Sequence, residues 1–145
     1  MSIKTIATVG IILTASAALA HSGVKDPNVM ARMNLMGEVK DNMGVLGGMA
    51  KGKMAFDADK AAMAKAGLIA NAQAIPAAFE INAMDPKSEA LPAIWENWED
   101  FVTKASAMEA AVGALDVSSA EAIQGGLRSV GGSCGGCHKS YRIDK

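Results

Sequence analysis

The chain has 145 residues, half of them hydrophobic and a fifth charged, with 14 basic against 15 acidic side chains and a formal net charge of −1. That composition excludes a disordered tail and a collagen-like fibre, and the charge balance excludes a basic nucleic-acid binder. Only 4% of residues are aromatic, while 10 are methionine and 15 glycine. The apolar content is therefore mostly Ala, Met, Leu, Val and Ile, which favours helix over sheet.

Residues 1–20 read as a secretory leader: Lys4 is the positive end, Ile6–Leu13 the apolar stretch and Ala18-Leu19-Ala20 the cleavage site. A membrane anchor is the alternative, but the apolar run is shorter than the roughly 20 residues a spanning helix requires. On the leader reading the working chain begins at His21, and residues 21–145 form one domain of 125 residues and net charge −2 with no membrane span.

Four helical stretches follow, and no run alternates apolar and polar residues as a half-buried strand would. The first is predicted from Asp26-Pro27, an N-cap followed by proline at the first helical position, to about Lys51 before Gly52. Its inward positions are Val29, Arg32, Met36, Val39, Met43, Leu46 and Ala50. A second helix is predicted over Asp57–Phe79, with Pro76 expected to kink or stop it. Residues 80–91 form the longest connection. A third helix runs from about Pro92 towards Ala114, carrying Trp95 and Trp98, which read as bundle core. The fourth opens on Ser118-Ser119-Ala120-Glu121, where Ser118 and Glu121 suggest a capping box, and runs to about Ile143. Gly125, Gly126, Gly131 and Gly132 inside it each cost roughly 0.5–1 kcal/mol relative to alanine, which implies that something bulky approaches that backbone. Four such helices with short links predict an all-α, antiparallel up-down-up-down four-helix bundle.

The chemistry is concentrated in Cys134-Gly135-Gly136-Cys137-His138, which holds both cysteines of the chain. C-x-x-C-H is the pattern of covalent haem attachment. On a helix, positions i, i+3 and i+4 share a face, so two thiols can add to the haem vinyl groups while the imidazole reaches the iron. The leader agrees, because these thioethers form outside the cytoplasm. A structural zinc site would need about four Cys or His ligands, and only His21 remains beyond the motif. A thioredoxin-like dithiol would need a strand feeding the helix. A strained disulfide between the two cysteines is the third alternative.

The motif near the C-terminus of a four-helix chain resembles the class II c-type cytochromes, cytochrome c′ and cytochrome c-556. The resemblance also rests on Ser140-Tyr141-Arg142, Pro92-Ala93-Ile94-Trp95, Asn42-Met43-Gly44, Ala50-Lys51-Gly52 and Phe56-Asp57. It implies a bundle enclosing one covalent haem c, with Cys134 and Cys137 as thioether anchors and His138 as proximal iron ligand. Met36, four residues after Arg32, matches the methionine that ligates iron in cytochrome c-556. Methionine can stand there in cytochrome c′ without binding iron, so residue identity leaves the ligation open. Met43, Met49, Met63 and Met108 read as core packing.

Arg32 is implied to bond a haem propionate, the alternative being a side chain that snorkels to water. Arg142 takes the family's arginine position beside the proximal imidazole, or serves as favourable charge at a helix C-terminus. The function implied is a periplasmic single-electron carrier, not an enzyme, working with periplasmic redox partner proteins. Family members are frequently homodimers packed through the first two helices. The alternatives are a five-coordinate cytochrome c′ that binds NO or CO and a non-haem helical interaction module.

Overall fold

A computed structural model describes residues 23–143; the predicted leader and His21 lie outside the described residues. Among the described residues there are five helices: α1 (Pro27–Ala50), α2 (Ala58–Phe79), α3 (Ala93–Glu96), α4 (Trp98–Gly113) and α5 (Ala120–Tyr141). No strand occurs among the described residues, only an isolated antiparallel bridge between Ala90 and Arg142.

Three of the four long helices, α1, α2 and α5, start where a side chain satisfies free N–H groups, whereas α4 has no such cap. Asp26 accepts from the N–H groups of Asn28 and Val29 ahead of Pro27 at N1, and Asp57 accepts from Lys60 N–H. Ser119 caps α5 by accepting from Ala122 N–H, so the cap lies one residue later than the expected Ser118, whose own N–H donates to Asp116 Oδ1. α1 ends on Gly52, whose φ of +65° places it in the left-handed region that suits a residue without Cβ. Its N–H donates to Met49 O, and the next N–H, from Lys53, to Gly48 O.

The predicted third helix is broken. Asn97 leaves helical geometry at φ −130°, ψ 47° and separates α3 from α4. Its backbone N–H still makes the helical bond to Ala93 O, and its side-chain Nδ2 donates to the same carbonyl. Pro76 does not stop α2 where it stands, and the helix continues to Phe79.

α1 packs on α2 and α5, α2 on α4, and α4 on α5, while the backbones of α1 and α4, and of α2 and α5, do not approach closely. That closed ring is the up-down-up-down bundle, with α3 and α4 together serving as its third member. The two ends of the bundle differ. Leu46, Met49, Ala61, Ala64, Leu68, Val112, Leu115 and Ile123 fill one end and are buried. The other end, between residues 32–43 of α1, the last turns of α2, residues 101–108 of α4 and the last turns of α5, holds a cavity.

Two expectations need correcting here. Met63 is not core; it stands 73% exposed on α2. Of the four glycines named in α5, only Gly126 has a close neighbour: a Cβ there would lie 2.4 Å from Leu115 Cδ1, whereas one on Gly125, Gly131 or Gly132 would meet nothing. The bulky group at Gly126 is thus a leucine of the bundle. Of the seven inward positions in α1, Val29, Arg32, Val39 and Leu46 are buried, while Met36, Met43 and Ala50 are half-buried.

Candidate functional site

The cavity has a volume of about 630 Å³, within the range of small-molecule and cofactor pockets. Its inner wall is apolar: Val39 from α1, Ile75 and Phe79 from α2, Ile94 from α3, and Phe101, Ala105 and Met108 from α4. On α5, Cys134, Cys137 and His138 open into it. Met36 and Arg32 line it from α1, and Arg142 from the end of α5. All six residues singled out from sequence therefore border one space, although more than ninety positions separate the two groups.

α5 presents its three donors on one face because they sit at i, i+3 and i+4 of an uninterrupted helix. Both cysteines are free and half-buried. Burial pushes each thiol above its ordinary range; a hydrogen bond with Ser133 partly offsets this for Cys134, and the Lys104 cation does so for Cys137. Burial also pushes His138 below its ordinary range, the Arg142 cation adds to that, and Glu89 opposes it. The neutral imidazole is thereby favoured, and that is the form with a lone pair to give to a metal.

The last turn of α5 is held in place by its neighbours. Tyr141, 5% exposed, packs edge-on against Phe101 with ring centres 5.4 Å apart and donates its hydroxyl hydrogen bond to Asp100 Oδ2 at 2.5 Å. That carboxylate pushes the phenol up to about 12. Leu91 N–H donates to Tyr141 O, and Ile143 N–H donates to Glu89 O. Arg142 turns its guanidinium onto Glu89, with Nε donating to Oε2 at 2.7 Å. Its backbone N–H bonds His138 O, so the ion pair with Glu89 is anchored one turn from the imidazole.

Arg32 does not snorkel. It is 2% exposed, and its Nη2 donates to Ala83 O and to Ser88 Oγ, both in the connection between α2 and α3. Its guanidinium carbon lies 5.4 Å from the centre of the Phe79 ring and 5.2 Å from that of Trp95. Trp95 is fixed in turn by donating from Nε1 to Phe79 O at 2.8 Å. Burial lowers the Arg32 pKa, while Asp26 opposes the shift. Nε and Nη1 are buried and have no hydrogen-bond partner among the described residues. Two unmet donors on a buried cation at a cavity wall constitute an anion-binding environment, since such groups are costly unless paired.

Trp95 and Trp98 are half-buried and stay off the cavity wall. Sequence reasoning missed the walls from α2 and α4, the Asp100–Tyr141 bond and the Glu89–Arg142 pair. It also missed Lys40 and Lys104, which border the cavity. The aromatic residue Tyr141 just after the motif was the only local signal for any of these.

The donor set suits a haem: two thiols and an imidazole on one helix face, an apolar slot in front of them, and an unpaired cationic group for a carboxylate. Among the described residues, no three His, Cys, Asp or Glu side chains converge as a cage for a metal ion.

Comparison with known proteins agrees. The family described as Cytochrome C′ matches residues 28–142. Cytochrome c-554 of Cereibacter sphaeroides is 36% identical over 139 residues, covering 90% of each chain. Cytochrome c-556 of Agrobacterium tumefaciens is 34% identical over 121 residues, covering 81% of this chain and 98% of that protein. A solved cytochrome c′ from Rhodobacter Spheriodes superposes with a TM-score of 0.74 at 27% identity, covering 81% of this chain and 96% of the other. The match spans all five helices and the C-x-x-C-H motif, so the chain belongs to the cytochrome c′ family of haem proteins and its cofactor is covalent haem c.

Proposed function

We propose that this chain is a single-electron carrier with a six-coordinate His/Met haem, rather than an enzyme or an open gas-binding site. The observation that carries the reading is the placement of Met36 on the α1 wall of the cavity whose α5 wall bears His138. A haem bound there supplies reversible one-electron chemistry, and a thioether opposite a histidine raises its potential.

Each residue then has a role. Cys134 and Cys137 hold the macrocycle covalently, and His138, favoured as the neutral imidazole, is the proximal ligand. Met36 offers its thioether from the facing helix. The free Nε and Nη1 of Arg32 hold a propionate, while Nη2 stays committed to Ala83 and Ser88. Arg142 pairs with Glu89 at the edge of the proximal side. Val39, Phe79 and Phe101 exclude water from the slot.

The leader reading places this chemistry in the periplasm, where its partners are other redox proteins. No helix of the described residues is long and apolar enough to cross a membrane. A homodimer through α1 and α2 completes the proposal. Met54, Phe56 and Met63, each exposed between the end of α1 and the first turns of α2, supply apolar surface for it. Sedimentation at micromolar concentration checks it, and a monomer there removes it.

One absorption spectrum of the exported, haem-loaded protein tests the ligation. A low-spin Soret band with a weak thioether-to-iron band towards the red is expected, and Met36→Ala should convert it to high spin. A high-spin wild-type spectrum with ready carbon monoxide binding after reduction would instead establish the open site that takes NO or CO.

A further inference from the structure

The α4 wall of the cavity carries a charged arrangement with no part in attachment or ligation. Lys104 lines the cavity, and its Nζ lies 3.4 Å from Asp100 Oδ2, one helical turn earlier. That same oxygen accepts the Tyr141 hydroxyl. Tyr141 lies four residues after Cys137 and is buried against Phe101, so the contact holds the Asp100 carboxylate towards α5. The tyrosine hydrogen bond, followed by the Lys104 cation, also keeps that carboxyl below its usual range, so it stays ionised.

Both charges stand beside the attachment cysteine: Lys104 and Cys137 line the same cavity, and Asp100 is bound to Tyr141, about one turn after Cys137 on α5.

We propose that Lys104 and Asp100 form a potential-setting pair for the haem held at Cys137, with Tyr141 as the positioning residue that fixes Asp100 in it. The inference rests on the attachment reading above. Reduction adds one negative charge to the site, so the lysine favours the reduced form and the carboxylate the oxidised form. The two effects oppose each other, and their balance depends on the Tyr141 bond, because an exposed carboxylate free to swing into water would be screened.

The test is redox titration of the haem-loaded wild type, Asp100→Asn and Lys104→Gln, with Asp59→Asn on α2, off the cavity wall, as control. Asp100→Asn keeps an oxygen to accept the Tyr141 hydroxyl while losing the charge. It should raise the midpoint potential. Lys104→Gln should lower it. Each shift is expected at about two- to tenfold in the equilibrium constant for reduction, the effect of one charge at intermediate dielectric, and the control should stay at the wild-type value. Loosening of the bundle would move both variants in the same direction, so opposite signs identify an electrostatic role. Haem attached but both variants at the wild-type potential, or shifted together, would overturn this inference alone. A wild-type protein whose mass shows no haem on Cys137 would overturn the attachment reading and this inference with it.

Discussion

Asp85 shows how much a single carboxylate can organise. It is 8% exposed and accepts hydrogen bonds from the backbone N–H groups of Lys25 at 2.9 Å, Lys87 at 2.8 Å and Asp26 at 3.4 Å. The entry to α1 is thereby tied to the connection between α2 and α3, and Asp26 next to it caps α1. Those donors, the Lys25 N–H first, favour the ionised form and hold Asp85 below the usual carboxylate range. Its folded pKa is therefore depressed, so its contribution to stability is fully present above the unfolded value, about 3.9, and is lost as pH falls through the lower folded value. Asp85→Asn should cost stability at neutral pH and flatten the acid limb of the stability curve below about pH 4. Denaturant midpoints measured from pH 2 to 7 check this, and an acid limb identical to wild type would contradict it. Arg32 is the counterpart on the other side of the same connection: a cation whose desolvation is only partly offset inside the chain, which makes it receptive to an anion.

At the level of elements, α5 illustrates how one helix meets two demands. Near its start it must approach Leu115, and only Gly126 allows that. Near its end it must present three donors on one face. Gly126→Ala should destabilise the protein by about 1–3 kcal/mol through overpacking against the 2%-exposed Leu115. Gly125→Ala, where a Cβ meets nothing, should instead stabilise by roughly 0.5–1 kcal/mol by restricting the unfolded chain. Thermal unfolding of the two variants gives the comparison, and equal effects would show that the close approach is not what selects glycine. α3 and α4 show the converse, since one residue outside helical geometry, Asn97, divides a segment whose apolar pattern is continuous.

For the whole molecule, the division into a filled end and a cavity end has an energetic consequence. Leu46, Leu68, Val112 and Ile123, each 0% exposed, pack the end away from the motif, whereas the end near His138 is built around a space of about 630 Å³. A group that occupies this space in the folded state alone adds its binding free energy to folding. A Cys134→Ser, Cys137→Ser chain, unable to hold haem covalently, should unfold at a lower temperature than the haem-loaded protein. Its amides over residues 133–142 should lose more protection than those over 61–68. Hydrogen exchange resolves the two regions, and uniform loss would show that the ends do not behave as separate units.

The all-helical class, the bundle, the long helix limits and the attachment motif were legible in the sequence, because capping residues, the 3.6-residue period and C-x-x-C-H spacing are all local. Val29, Arg32, Val39 and Leu46 were placed inward by period alone. What the period could not reveal is what each inward residue meets. That Arg32 keeps two donors unpaired depends on Ala83 and Ser88, some fifty residues away. That Ser119 rather than Ser118 caps α5 depends on Asp116 engaging Ser118 first. The exposure of Met63 and the contact at Gly126 follow from how α2 and α4 pack, and so does the pairing of Asp100 with Tyr141 across forty residues. The sequence by itself determined which chemical groups the chain carries and on which helix faces they stand, because helix geometry repeats over a few residues. Only the tertiary structure decided which faces close on a common cavity and which charges border it, because those depend on contacts between segments that no local pattern encodes.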